Sequence, residues 1–427
     1  MATHYLWNLS VNREPRVITL NHTDISGGAA RAAYRIHHCL RSQGIDSRMW
    51  VNKALAGDWT VNGPVGKFEK AVKILRTQVG GQIRHMLKTD NPVLHSPALL
   101  PSRWPKRINE SNADIVHLHW VGSEMLSIAD IGRITKPVVW TLHDMWAFCG
   151  AEHYTEDFRW RDGYRRDNRP AYESGFDLSR WTWQRKRKHW QCPMHIVALC
   201  DWMRKCVKES LLFRDWPCHV IPNPLDTDRW SPLDQRLARD LLHLPQDVPF
   251  LLFGAIGGDR DPRKGFDLLA GALSCLRSEA VAKRLELMVF GQLETEKPPE
   301  IGFPVHYTGH LHDDLSLRIL YCAADALVLP SRQDNLPNTG VEAQACGTPV
   351  VAFNTCGLPD IVDHQTTGYL ARPFEAEDLA AGIIWILQSD RTKLREQSRK
   401  RAVERYACKT VAEQYRRVYA EALESAG

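Results

Sequence analysis

No apolar run in the chain approaches the ~18 residues that a bilayer-crossing helix needs, so none is expected. Cys-x-x-Cys pairs are also missing. The eleven cysteines are an odd number at scattered positions, which argues against a disulfide framework or a zinc module. They read as small buried apolar residues in a reducing compartment. The formal net charge is only +5, too little for a dedicated nucleic-acid binder with a large cationic face. No low-complexity tract or short-period repeat is present. The stretch Met1 to Arg16 has no basic start followed by an apolar core, because Arg13, Glu14 and Arg16 interrupt it where a signal core would lie. A cytoplasmic protein is the expectation.

What is present is a globular composition, 44% hydrophobic and 25% charged, over 427 residues. That length predicts two or three domains rather than one core. Charge is unevenly placed: Arg159 to Trp190 holds ten Lys/Arg against four Asp/Glu, a local excess of +6, and mixes them with Trp160, Tyr164, Tyr172, Phe176, Trp181, Trp183 and Trp190. Arg with Trp suits an anionic membrane surface or a polyanionic, sugar-bearing acceptor. The same chemistry would serve RNA, and the plain alternative is a solvated insertion.

Arg16 to Asn21 reads as a buried strand, Ser26-Gly27-Gly28 as a turn, and Ala29 to Gln43 as a helix with Ala29, Ala33, Ile36 and Leu40 on one face. A second strand from Asp46 to Val51 makes a strand-helix-strand unit, and so predicts a parallel sheet. Residues 55–110 give no clear pattern beyond basic helical segments around Lys67–Met86 and a Pro-rich piece from Pro92 to Pro105. Further strands are expected at Ile115–His119, Pro137–Leu142, His195–Leu199 and His219–Pro222. The turn Pro222-Asn223-Pro224 marks a domain boundary. A second series of strands begins at Phe250, Leu285, Val305, Ala326 and Pro349, with helices from there to the C-terminus. Two consecutive doubly wound α/β domains follow, with ligands held beyond the strand ends in a cleft between them.

Four segments carry chemistry. Asp334 and Glu342 stand eight positions apart, with seven residues between them, around a helix start, in Pro330-Ser331-Arg332-Gln333-Asp334-Asn335-Leu336-Pro337-Asn338-Thr339-Gly340-Val341-Glu342. One acid can face sugar hydroxyls, the other can hold ribose, and the free N–H groups between them suit a diphosphate. Gly27-Gly28, between strand and helix, lets backbone approach a ligand. Asp259-Arg260-Asp261-Pro262-Arg263-Lys264-Gly265 follows Gly254, Gly257 and Gly258, and its cations can neutralise a diphosphate. Thr141-Leu142-His143-Asp144 puts a histidine at a strand end, able to touch a sugar hydroxyl or to share a proton with Asp144. His117 and His119 alternate on a strand; without an evident third metal ligand they read as structural.

Taken in order, Gly27-Gly28-Ala29, Thr141 to Trp146, Ile221-Pro222-Asn223, Asp261 to Gly265, the acid pair and Cys346-Gly347-Thr348-Pro349-Val350-Val351 resemble a retaining glycosyltransferase of the GT-B fold, family 4, of the bacterial exopolysaccharide and colanic-acid type. The resemblance implies an α/β fold of two doubly wound Rossmann-like domains facing a cleft: an acceptor-side domain over 1–224 with insertions near 55–110 and 151–192, a nucleotide-sugar domain over 225–408, and a final helix over 409–427 crossing back. It implies His143, Asp334 and Lys264 as catalytic groups, and Gly27, Gly28, Arg260, Arg263, Lys264, Asp334, Leu336, Asn338 and Glu342 as donor-binding ones, Glu342 on ribose.

The activity implied is metal-independent, cofactor-free transfer of a hexosyl-type sugar from a nucleotide diphosphate sugar to a lipid-linked oligosaccharide or other glycan in surface polysaccharide biosynthesis. No nucleic acid is involved, and Arg159–Trp190 would dock the enzyme peripherally on the anionic inner membrane face. A non-hydrolysing nucleotide-sugar epimerase or a non-catalytic glycan-binding protein of the same architecture are the alternatives. Three departures stand out: Asp334 where the family usually has Glu, Gly258 where a second phosphate-binding arginine is common, and Pro337, which lacks an N–H, where a glycine is usual.

Overall fold

The computed structural model describes residues 13–64, 66–254, 261–291, 301–311 and 313–426. In the first half the strands are β1 (Arg16–Thr23), β2 (Asp46–Lys53), β3 (Val61–Asn62), β4 (Leu87–Thr89), β5 (Ile115–Leu118), β6 (Val138–Leu142), β7 (Glu173–Gly175), β8 (His195–Ala198) and β9 (Cys218–Val220). Seven of them form a parallel sheet in the order β3-β2-β1-β5-β6-β8-β9. The second half holds β10 (Phe250–Gly254), β11 (Glu286–Phe290), β12 (Val305–Gly309), β13 (Ala326–Leu329), β14 (Val350–Phe353) and β15 (Gly368–Ala371). These make a second parallel sheet, ordered β12-β11-β10-β13-β14-β15.

Both orders run outward from the first strand in two directions. The reversal leaves a crevice at the carboxyl ends of β1 and β5 in one sheet and of β10 and β13 in the other. Runs such as Ile115–Leu118, Val138–Leu142 and Ala326–Leu329 are buried at every position, as strands covered by helices on both faces must be.

Residues 55–110, opaque in the sequence, contain β3, a helix over Lys67–Arg84, β4 and a short helix over Trp104–Asn109. β4 pairs antiparallel with β7, which lies more than eighty residues further on. Short partners so far apart leave no local pattern. Strand β15 was not foreseen either. It is an edge strand of four residues, and Gly368 is required at its start because a Cβ there would lie 2.0 Å from the Val350 carbonyl oxygen.

The chain crosses between the halves twice, near Pro222–Asp226 and at Ala407, and the crossings touch through a bond from Leu225 N–H to the Tyr406 carbonyl, 2.7 Å. Helix Arg391–Tyr406 packs on the second sheet's side, against the helix Asn338–Ala345. After the break at Ala407, helix Cys408–Glu424 returns to the first sheet and buries Val411, Tyr415, Val418 and Tyr419 against Val17, Ile36, Leu40, Ile115, Val139 and Val197. Tyr419 hydroxyl bonds His117 Nδ1 at 2.8 Å and Tyr415 hydroxyl meets Thr141 Oγ1 at 3.0 Å, so His117 is satisfied by structure on both ring nitrogens, with Thr141 Oγ1 at 2.8 Å on Nε2.

Among the described residues no helix is long and apolar enough to cross a membrane.

Candidate functional site

The two loops at the crevice of the second sheet are zipped together. Gly265, in the left-handed region at φ +67, sits so close to the loop after β13 that a Cβ would lie 1.9 Å from the Pro330 carbonyl oxygen. Arg332 N–H bonds the Arg263 carbonyl at 2.7 Å in the same seam. This places Lys264 beside Asp334, with Nζ 2.7 Å from Oδ2. The pair is half-buried and unites two residues seventy positions apart. Gly357 braces the loop from the other side: its N–H bonds the Asp334 carbonyl at 3.1 Å, and a Cβ would fall 1.4 Å from the Asn335 carbonyl oxygen.

Helix Asn338–Ala345 starts at Pro337, which caps it with no side-chain bond. The amides of Asn338 and Thr339 precede the first intrahelical bonds, those from Gly340 and Val341 to the Pro337 carbonyl, so the donors expected for a diphosphate are at hand. Glu342 faces inward from the second turn and is buried.

Leu336, in the same loop, is buried and its side chain belongs to the main apolar cluster. Arg263 is held by Asp261, Nη2 to Oδ2 2.7 Å, and its guanidinium lies 4.4 Å over the Tyr154 ring of the first domain. Arg260 and the glycines Gly257 and Gly258 lie outside the described residues.

Across the cleft, Gly27 takes φ 95, and a Cβ on Gly27 or Gly28 would meet nothing within 4 Å. The backbone there faces open space. Asn338 Nδ2 reaches the Gly28 carbonyl at 3.1 Å, and Asn335 Nδ2 reaches the Leu142 carbonyl at the end of β6 at 2.9 Å, so the acid-pair loop is stitched to both expected elements of the first domain. His143 follows β6, with Nε2 3.0 Å from His119 Nδ1, and burial pushes its pKa down to about 4 against the pull of Asp144. It is neutral at pH 7.

The expected sharing of a proton between His143 and Asp144 is not what the structure shows. Asp144 Oδ2 takes His153 Nδ1 at 2.6 Å and Trp120 Nε1–H at 2.8 Å, a network drawn from the loops after β5 and β6. Burial raises the Asp144 pKa, but His153, the Trp146 amide and Trp120 outweigh it and hold the carboxyl below the ordinary range.

The sequence reading missed Arg35 and Tyr321. Both meet at Glu342: Arg35 Nη1 lies 2.6 Å from Oε1, and Tyr321 hydroxyl donates to Oε2 at 2.8 Å. Arg35 lies off the apolar stripe of Ala29, Ala33, Ile36 and Leu40 on the first helix, and only the packing of the second domain there gives it a partner. Two cavities flank the interdomain seam. One of about 480 Å³ is lined by Tyr34, Arg35, Arg229 and Trp230 among others, and one of about 510 Å³ by Tyr154, Tyr172, Arg263 and Gln333 among others.

The Arg159–Trp190 insertion is part interior and part surface. Trp160, Tyr164, Trp183 and Trp190 are core residues in the same apolar cluster as Trp140, Trp146, Phe148 and Phe213, while Tyr172 and Phe176 are exposed. Arg159 is buried between Glu173 at 2.6 Å and Asp157 at 3.0 Å, and Arg185 bonds the carbonyls of Pro97 and Ala98. Lys186 is fully buried, donating to the carbonyls of Trp146, Cys149 and Gly150 over the Trp146 ring. Arg161, Arg165, Arg166, Arg187 and Lys188 remain exposed.

Among the described residues, one group of potential metal ligands has its donor atoms within 4.8 Å: His195, His219 and Glu421. It includes the first residue of β8, at the amino end, whereas the site lies at carboxyl ends.

Residues 26–229 match the family model described as Glycosyltransferase Family 4, and residues 250–389 the one described as Glycosyl transferases group 1. The chain is 34% identical over 182 residues to D-inositol 3-phosphate glycosyltransferase of Geodermatophilus obscurus, covering 39% of this chain and 40% of that protein. It is 30% identical over 215 residues to the MMP alpha-(1->4)-mannosyltransferase of Mycolicibacterium hassiacum, 48% of each. The alignments thus span less than half the length of these curated relatives. HepE of Anabaena, solved in complex with UDP-glucose, superposes with TM-score 0.63 at 16% identity, covering 96% of this chain and 100% of that one. The fold is GT-B, and the two matched models fall on its two domains in order.

Proposed function

We propose that this chain is a glycosyltransferase that takes a hexosyl-type sugar from a nucleotide diphosphate sugar and passes it to a lipid-linked oligosaccharide or other glycan acceptor, with retention at the anomeric carbon and without a metal. The observation that carries the reading is the Lys264–Asp334 pair, 2.7 Å apart at the crevice of the second sheet and faced by the open Gly27-Gly28 backbone of the first. Both domain models and the sugar-transferring names of the relatives support it. A nucleotide diphosphate sugar is also the class of ligand bound in HepE.

In this reading the bond from the anomeric carbon to the diphosphate oxygen breaks while the acceptor oxygen bonds the same face, and its proton passes to the departing phosphate. The charge that develops lies on the diphosphate. Lys264 is placed to oppose it, together with the free amides of the helix start, and such preorganised donors are worth most where charge appears. Asp334, held by Lys264, is left with a free oxygen for the sugar hydroxyls. His143, neutral, serves as a hydrogen-bond partner and not as a charge. Surface polysaccharide assembly and a peripheral position at an anionic membrane extend the reading, through the exposed Arg187 and Lys188.

Thermal shift against a panel of nucleotide sugars tests it, because a ligand of the folded state alone raises the melting temperature. One nucleotide sugar is expected to raise it, and acceptor glycan to consume that donor. A panel without any shift, or release of a free epimerised sugar without acceptor, would sink the proposal.

A further inference from the structure

Glu342 is completed from outside its own domain. Arg35, on the helix Gly28–Ser42 of the first domain, puts Nη1 2.6 Å from Glu342 Oε1, Nη2 3.9 Å from Asp314 Oδ1, and its guanidinium 5.2 Å over the Trp230 ring. All three of those groups belong to the second domain. The Arg35 side chain is 16% exposed and that of Glu342 5%, so solvent screens the pair little. Glu342 Oε2 accepts the Tyr321 hydroxyl at 2.8 Å.

A carboxylate offers about four acceptor positions, two on each oxygen. Arg35 fills one on Oε1 and Tyr321 fills one on Oε2. One position per oxygen remains, the arrangement that two vicinal hydroxyls use when they bond a carboxylate side by side. A carboxylate free to rotate would lose ordering entropy on gripping such a diol; one already fixed in plane by two donors loses less. Arg35 also cancels the charge of Glu342, which would otherwise repel a diphosphate.

We propose that Arg35 is a positioning residue for the nucleotide ribose: from the first domain it fixes the plane and charge of Glu342, so that the ribose subsite is whole only when the two domains are closed on each other. The proposal rests on reading Glu342 as the ribose acid. Nucleotide binding and domain closure are then coupled, each favouring the other by the same factor.

Calorimetry on the full chain, using whichever of UDP, GDP and ADP binds most tightly and its 2′,3′-dideoxy analogue, tests this. Wild type should prefer the ribose form, and Arg35→Gln should weaken that form by roughly tenfold, the scale of a hydrogen bond to a charged group, while changing the dideoxy form little. Tyr321→Phe, which removes the other donor without touching the interdomain contact, should lose the same preference, and Arg35→Lys should fall between. Equal weakening of both nucleotides by Arg35→Gln would make the arginine a mere staple and overturn the proposal. So would an unchanged preference. Should wild type bind nucleotide without discriminating ribose from dideoxyribose, the ribose assignment of Glu342 fails and this inference with it. Absence of any nucleotide binding by wild type would instead sink the glycosyltransferase reading itself.

Discussion

On the second domain's side of the cleft the working groups are charged and come from two loops of one sheet: Lys264 from the loop after β10, Asp334 from the loop after β13, and Glu342 from the helix that follows. On the first domain's side imidazole and indole groups predominate, from the loops after β5 and β6: His119 meets His143, while His153 and Trp120 meet Asp144. The two sheets share one winding and one kind of crevice, yet one wall is built round a lysine–carboxylate pair and the other round imidazole and indole rings, with Arg35 turned to Glu342. The proposed function accounts for the contrast. A diphosphate needs cations and amides held in place, while an acceptor and a sugar need neutral donors and acceptors that do not carry a charge into a partly buried site.

The largest effect belongs to Lys264. Lys264→Ala is expected to lower kcat by about a hundredfold or more, as loss of a preorganised charge-stabilising donor does. His143→Ala should cost less, around tenfold, since a neutral contact is removed. Steady-state kinetics with a saturating donor measures both, and a larger loss in the histidine variant would reverse the comparison.

Next in size is a contrast within the first domain itself. Burial pushes the Lys186 pKa down to about 7, and the carbonyls of Cys149 at 3.0 Å and Gly150 at 2.7 Å are among the acceptors holding its ammonium. Lys186→Met keeps the volume but strands buried carbonyls, and should cost about 3 kcal/mol in urea unfolding. Arg187→Glu with Lys188→Glu, one and two residues on and exposed, should leave the unfolding midpoint in place and weaken sedimentation with anionic vesicles. Equal vesicle binding would remove the membrane extension of the proposed function; a stable Lys186→Met would show the insertion is not built around that lysine.

Acid should distinguish the domains as well. His22 and His143 are held down to about 4, and His37 and His117 to about 3, with burial the first cause in each. Unfolded, each would protonate near pH 6.5, so between about pH 6.5 and 4 the unfolded chain binds more protons than the folded one. Their contribution is complete above about pH 6.5 and is lost as the pH falls, by about 1 kcal/mol per unit for each histidine. All four lie in the first domain, where thirteen of the fifteen tryptophans stand before residue 224, so tryptophan fluorescence follows that domain. Its urea midpoint should fall between pH 7.5 and pH 5; an unchanged midpoint would mean these histidines are not held neutral.

Much of the second domain's wall was legible because its parts lie in short loops. Asp334 and Glu342 flank a helix start, and Lys264 follows a buried strand, so spacing alone put them on one face. The first domain's wall gave up only its ends, Gly27-Gly28 and His143, since His119 and Trp120 come from the neighbouring strand end and His153 returns from further along the irregular loop after β6. The Trp-rich insertion was read as surface because cation and aromatic counts do not say which indoles face inward.

The sequence by itself determined two parallel sheets of the same winding, from buried β-branched runs alternating with amphipathic helices, and where their strand ends would put a ligand. Those are consequences of local periodicity and chain order. The tertiary structure alone decided that Arg35 meets Glu342, that Asp144 belongs to His153 and not to His143, and that Lys186 is a core residue. Each of these pairs a group with a partner between 9 and 307 residues away, and no local periodicity records a contact that exists only once burial has removed water from both sides.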